Sequence, residues 1–296
     1  MLLKSQIFNT FSFKLILIAS LLCLFLSFIL NEFILNLLIF SGILSFGIIH
    51  GANDLSLLKI KINNNDSFVS LLIPYLIMVF SFGIFFYLIP SLALMFFVLF
   101  SSYHFGEQQW TMFVNKKEKK LEIFYFLYGL FIFSFLFWLN NNFVSEIVLD
   151  ITGFNVDLKF YDYLLYFSIA VLLISVFLNF NHLSEQLFVQ FFLLILLSII
   201  FYNSSLILSF GIYFVFWHSI PSIIEQSQYI YGSKSMKSFF NYFKSSFLYW
   251  ILSLMGLLFL YYFLKDYQNL LISIFFSFLA AITFPHTLVI FKMKNN

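Results

Sequence analysis

The chain has 296 residues, of which 62% are hydrophobic, 23% aromatic and only 9% charged; 15 Lys, no Arg and 13 acidic residues give a net charge of +2. Soluble domains carry about 25% charged residues, so a water-soluble globule and a disordered chain are both excluded, and the near balance of charge leaves no basic patch for nucleic acid. A single cysteine, Cys23, excludes a disulfide framework, a Cys-zinc site and an iron–sulfur cluster.

Taken in chain order, ten apolar runs approach the roughly 20 residues that a spanning helix needs. They are 13–31, 33–50, 68–89, 91–110, 121–140, 161–180, 186–202, 204–224, 245–264 and 270–290. The runs are continuous, as in LLIPYLIMVFSFGIFFYLIP, whereas strands of a membrane barrel alternate over about 10 residues; these are therefore helices. Lys4 and Lys14 stand before and at the start of the first run as in a signal peptide, but no small-x-small cleavage site follows, so the run is read as a helix. The longest polar stretches are 140–160 and 225–244, and no internal repeat is visible. The expectation is an all-α, polytopic membrane helix bundle of about ten transmembrane helices, a single integral membrane domain over 1–296 in the cell (inner) membrane. Cytoplasmic loops collect Lys. With the N-terminus inside, 13 of the 15 Lys fall in inside segments and only Lys159 and Lys265 fall outside, which gives an N-in and C-in orientation.

Of five histidines, His182 lies in the polar turn NFNHLSE and reads as a solvated loop residue. His50, His104, His218 and His286 lie in or at the ends of the second, fourth, eighth and tenth runs, which all point inward in this topology. Polar residues within a span are costly and mark function by default, and four at a shared depth point to one site near the cytoplasmic side. Neutral imidazole ligates iron, zinc or copper. Asp54, Glu107 and Glu225 follow His50, His104 and His218 by four, three and seven residues, on the same helical faces, placed to ligate a metal or to accept the second imidazole N–H. Gly47 and Gly51 around His50, and Gly106 after His104, allow close helix approach. Pro221 and Pro285 are expected to kink their helices. Tyr103, Phe105, Trp110, Phe214, Phe216, Trp217 and Phe284 flank the histidines as candidate walls of an apolar tunnel.

The strings G-I-I-H-G-A-N-D (47–54), S-S-Y-H-F-G-E-Q (101–108), F-W-H-S (216–219) and P-H-T-L-V (285–289) resemble the four signature blocks of the Brp/Blh family. These are bacterial and archaeal membrane β-carotene 15,15′-dioxygenases that supply retinal to microbial rhodopsins. The resemblance implies cleavage of the central C15=C15′ bond of β-carotene, or of a related carotenoid, by O2 into two retinal molecules, with Fe(II) as cofactor. It places His50, His104 and His218 on iron-ligand positions, Asp54 on the acid after the first histidine and His286 on the histidine of the last block. It also implies a lipid bilayer as the setting and delivery of retinal to a microbial rhodopsin. Two positions depart from the family pattern. The third block usually reads His-x-x-x-His, and Ser222 stands at the second histidine; the second block often ends in Asp, and Gln109 stands there. With Ser222 in place, the fourth ligand falls to His286, an acid or a water. The alternatives are a non-catalytic carotenoid- or retinal-binding relative, which Ser222 favours, and a membrane transporter. Five histidines are too few for a two-iron desaturase.

Overall fold

A computed structural model of the chain describes residues 10–61, 68–113, 118–264 and 271–294. Lys4, Lys116, Lys117 and Lys265, which enter the loop-charge count, lie outside the described residues, as does the start of the tenth run at 270. Among the described residues the secondary structure is helical, without a strand, and all ten apolar runs are helices. The helices are α1 (Phe11–Ile29), α2 (Glu32–Gly42), α3 (Asp54–Lys61), α4 (Phe68–Leu88), α5 (Pro90–Thr111), α6 (Glu122–Leu139) and α7 (Asn141–Thr152). They continue with α8 (Lys159–Leu178), α9 (Phe180–Asn203), α10 (Leu206–Ile212), α11 (Ile220–Tyr231), α12 (Met236–Leu264) and α13 (Leu271–Lys294). Two π turns interrupt the α pattern, at Ile43–Gly47 after α2 and at Tyr213–Ser219 between α10 and α11.

Local chemistry sets the boundaries. Thr10 caps α1 by accepting from the Phe13 N–H at 3.2 Å, and Asn31 caps α2 by accepting from the Ile34 N–H at 2.9 Å. Helices α7 and α11 end at Gly153 and Gly232, whose φ of 73° and 76° suits a residue without a Cβ. Among the described residues eight helices are long and apolar enough to cross a membrane, and the chain is an all-α membrane helix bundle. The other two expected spans differ for separate reasons. The 33–50 run makes the shorter apolar helix Glu32–Gly47. Helix α5 spans 22 residues, but its second half is polar: Ser102, His104, Glu107, Gln108 and Gln109 are each no more than 2% exposed. Protein surrounds that half, so it has no need of an apolar surface.

Three expectations are corrected. His182 lies in the first turn of α9, where it pairs with Glu118 at 2.9 Å; the expected turn shrinks to Asn179, whose side chain donates to the Ser175 carbonyl at 2.9 Å. Helix α12 starts at Met236, not 245, because Ser238, Tyr242 and Ser246 recur every four residues and give the polar stretch one buried face. Pro221 does not act alone on its helix. The π turn ahead of it shifts the bonding, so that the Ile220 N–H reaches the Val215 carbonyl and the Ser219 hydroxyl donates to the Phe214 carbonyl at 2.8 Å. Pro285 sits inside the continuous helix α13.

The chain divides into two compact units, residues 1–43, 102–144 and 157–221, and residues 44–101, 145–156 and 222–296. Lipid removes the hydrophobic drive between membrane helices, so close packing and polar bonds must hold them. In the first unit α6 packs along α8, and α10 along α2. Trp138 Nε1 donates to Asp162 at 2.8 Å, and Trp217 Nε1 donates to Ser20 Oγ at 2.8 Å. In the second unit α13 packs on α3 and α4. Leu55, Leu57, Leu58, Leu71, Val289 and Ile290 form one apolar cluster there, and the rings of Phe82 and Phe284 stack at 4.3 Å.

Candidate functional site

In the second unit His50 stands three residues after the end of the Ile43–Gly47 π turn. Its Nδ1 bonds the Gly47 carbonyl, which fixes the ring. The helix then breaks: Gly51 and Ala52 donate back to Ile48 and Ile49 at 3.2 and 3.1 Å, and a new helix starts at Asp54. Asp54 and His50 therefore do not share a helical face, and Gly47 and Gly51 do not lie on one unbroken helix. Asp54 turns instead to α13, where its Oδ1 lies 2.7 Å from His286 Nδ1, and its Oδ2 accepts from the Tyr75 hydroxyl at 3.0 Å. The His50 and His286 rings meet edge to face at 4.6 Å, with Gly51 against the His286 ring.

In the first unit His104 lies on α5, and Gly106 beside it sets the helix against α6. A Cβ on Gly106 would stand 1.9 Å from the Tyr125 carbonyl oxygen, and one on Gly129 would stand 1.8 Å from the Ser102 oxygen. Backbone thus meets backbone at both glycines, as small residues at membrane helix crossings permit. The His104 ring meets the His218 ring edge to face at 4.8 Å. His218 lies within the second π turn, its carbonyl accepts from Gln108 Nε2 at 3.0 Å, and Phe105 closes on its ring at 4.1 Å. Two of the histidine blocks thus sit on π turns, an i→i+5 irregularity found often at functional sites.

The remaining expected site residues fall as follows. Glu107 and Ser222 are buried, and Glu225 is half-buried on α11. Ser222 Oγ accepts from Gln226 Nε2 at 2.8 Å. Of the candidate tunnel residues, Phe105, Trp110, Phe214 and Trp217 are buried, whereas Tyr103, Phe216 and Phe284 are half-buried. Gln109 pairs with Gln190, their side chains 3.1 Å apart. Among the described residues no group of three or more His, Cys, Asp and Glu side chains could hold a metal ion. What the structure brings together is an imidazole pair in each unit, with a carboxylate on the second. Sequence reasoning missed Tyr75, Asn53, Gln108, Gln226 and Tyr242. Only Gln108, one turn after His104, and Asn53, beside Asp54, carried a positional signal.

A family model described as beta-carotene 15,15'-dioxygenase matches residues 41–294. The chain belongs to this family. The matched region contains His50, His104, His218 and His286, with Asp54. No curated protein and no solved structure matches the chain. As a member of the β-carotene dioxygenase family, the chain is a carotene dioxygenase-like enzyme with a carotenoid as substrate. The donor chemistry of the second unit fits the ferrous iron that the family resemblance implies. His50 Nδ1 rests on a carbonyl and His286 Nδ1 on a carboxylate, the two partners that usually orient a metal-bound imidazole, and in each arrangement Nε2 would be the nitrogen to hold a metal.

Proposed function

We propose that the protein cleaves the central double bond of β-carotene, or of a related carotenoid, with O2 to give two retinal molecules, using ferrous iron held by His50, His104, His218 and His286. The observation that carries this reading is the family match, which spans all four histidine blocks. The reaction balances without a further reductant: one C=C bond breaks, two C=O bonds form, and both oxygen atoms enter the aldehydes. Bound ferrous iron supplies the one-electron chemistry that lets O2 react with a closed-shell polyene. The residues of the chain do the rest. Their imidazoles are neutral donors, Asp54 offsets metal charge and keeps the proton on His286 Nδ1, and Tyr75 holds the other oxygen of Asp54. Phe105 and Phe214 on the His218 ring make its surroundings apolar, as a hydrocarbon substrate without a polar handle requires.

The substrate enters from the lipid of the cell membrane, N-terminus and C-terminus lie inside, and a microbial rhodopsin takes up the product retinal. The test is co-expression in a host that accumulates β-carotene, with retinal read by chromatography and iron measured on the purified protein. Bleaching, retinal and stoichiometric iron are expected. His50→Ala, His104→Ala and His218→Ala are each expected to abolish retinal at unchanged protein level, and retained activity removes that residue from the ligand set. Iron-free protein that still binds carotenoid or retinal but makes no retinal establishes the non-catalytic binder instead. Asp54→Asn keeps a hydrogen-bond acceptor but loses the charge, and iron affinity should fall roughly 10–100-fold; unchanged retention on dialysis against a chelator would reduce Asp54 to a helix cap.

A further inference from the structure

His50 sits on a turn, and a turn supplies little rigidity of its own. The 50–53 turn is held from α12 and α11 by a closed set of buried polar groups. Tyr242 on α12 brings its hydroxyl to 2.9 Å from the His50 carbonyl oxygen and 2.7 Å from Gln226 Oε1, two acceptors that share its single proton. Asn53, at the end of the same turn, donates from Nδ2 to the Tyr242 carbonyl at 2.9 Å and accepts on Oδ1 from the Ser245 hydroxyl at 3.0 Å. Gln226 in turn donates to Ser222 Oγ at 2.8 Å. Tyr242, Asn53 and Gln226 are each 0% exposed. One tyrosine thus grips the turn at both ends, through its hydroxyl at His50 and through its carbonyl at Asn53. Ile49 and Ile223 pack around it in one apolar cluster, a setting in which polar bonds meet no competition from water.

We propose that Tyr242 is a positioning residue of the carotene-cleaving centre: it fixes the turn that presents His50, with Asn53 and Gln226 as its anchors. This rests on the reading of His50 as a metal ligand. Catalytic constellations need their supporting groups locked to a fraction of an ångström, and a histidine on a turn meets that need only through groups outside the turn.

The test compares wild type, Tyr242→Phe, His50→Ala and Trp138→Phe, all as the full chain in detergent. Tyr242→Phe keeps the buried ring and removes the hydroxyl. In metal-free protein, amide hydrogen exchange across 50–54 should accelerate about tenfold, the effect of one lost buried bond. Affinity for added Fe(II) should fall roughly 10–100-fold. The paramagnetic resonance spectrum of the ferrous protein with nitric oxide as probe should change in line shape. Trp138→Phe, which removes the indole bond to Asp162, should leave all three readings unchanged. Wild-type exchange in Tyr242→Phe overturns the proposal, and so does faster exchange with unaltered iron affinity and spectrum. Wild-type iron affinity in His50→Ala overturns the metal reading itself and is seen separately from either result. Should Tyr242→Phe fail to accumulate, Asn53→Ala loosens the same turn from its other end and is judged on the same readings.

Discussion

Replacing His286 by alanine is expected to end retinal formation. The ring lies edge-on to His50 at 4.6 Å, and its Nδ1 rests on Asp54 at 2.7 Å, with the two side chains 2% and 1% exposed. Ser222 stands where the family resemblance implies a further histidine, and its hydroxyl accepts from Gln226, so under the proposed function His286 is the imidazole that completes the set. The alanine variant loses more than a ligand. It leaves the Asp54 carboxylate in the protein interior with the Tyr75 hydroxyl, and a buried acceptor that loses a hydrogen-bond donor costs about 1–3 kcal/mol, more when it is charged. Loss of folded protein would then imitate loss of activity. His286→Asn separates the two effects, because its amide can still donate to Asp54. The asparagine variant should accumulate near wild-type levels and make no retinal. Retinal at close to the wild-type rate from His286→Ala would remove this residue from the centre and return the fourth ligand to an acid or a water.

The second large effect concerns structure. Gly106→Ala would place a methyl group 1.9 Å from the Tyr125 carbonyl oxygen, and that neighbour is main chain, which cannot rotate away. The helix pair α5 and α6 must then separate at the point where His104 is seated. Overpacking costs typically 1–3 kcal/mol and more when backbone has to move, so the variant should either fail to accumulate or lose several degrees of thermal stability in detergent. Gly83→Ala is the matched comparison. Gly83 lies within α4 with nothing inside 4 Å of an added Cβ, so the substitution should be neutral or gain up to about 1 kcal/mol from helix propensity. Equal stability of the two variants would contradict the backbone contact between α5 and α6.

The helices were legible in the sequence because long apolar runs have one stable form in lipid, and the edges of most runs move by only a few residues. The four buried histidines were legible for the same reason, since a polar residue in such a run stands out. What stayed hidden is where the periodicity fails. Nothing in I-L-S-F-G or Y-F-V-F-W-H-S distinguishes a π turn from an α turn, and the assumption of unbroken helix put Asp54 beside His50, when the break at 50–53 carries it to His286. Tyr242 was hidden differently. It lies in a stretch polar enough to read as a loop, and its value comes from partners 192 and 16 positions away in the chain. Tyr75 is likewise one tyrosine among 17 until folding brings it to Asp54.

The π turns also bear on how such a chain can change over time. A π turn fits one residue more than an α turn into nearly the same rotation, so the surplus residue is absorbed where it stands. Dropping one residue between Tyr213 and Ser219 would let the segment relax to ordinary α pairing with Ser222 and Gln226 still close to their present phase, whereas dropping one from the α-helix that follows would swing everything beyond it by about 100°. Related chains can therefore lose a residue within these short windows far more freely than in the helices around them.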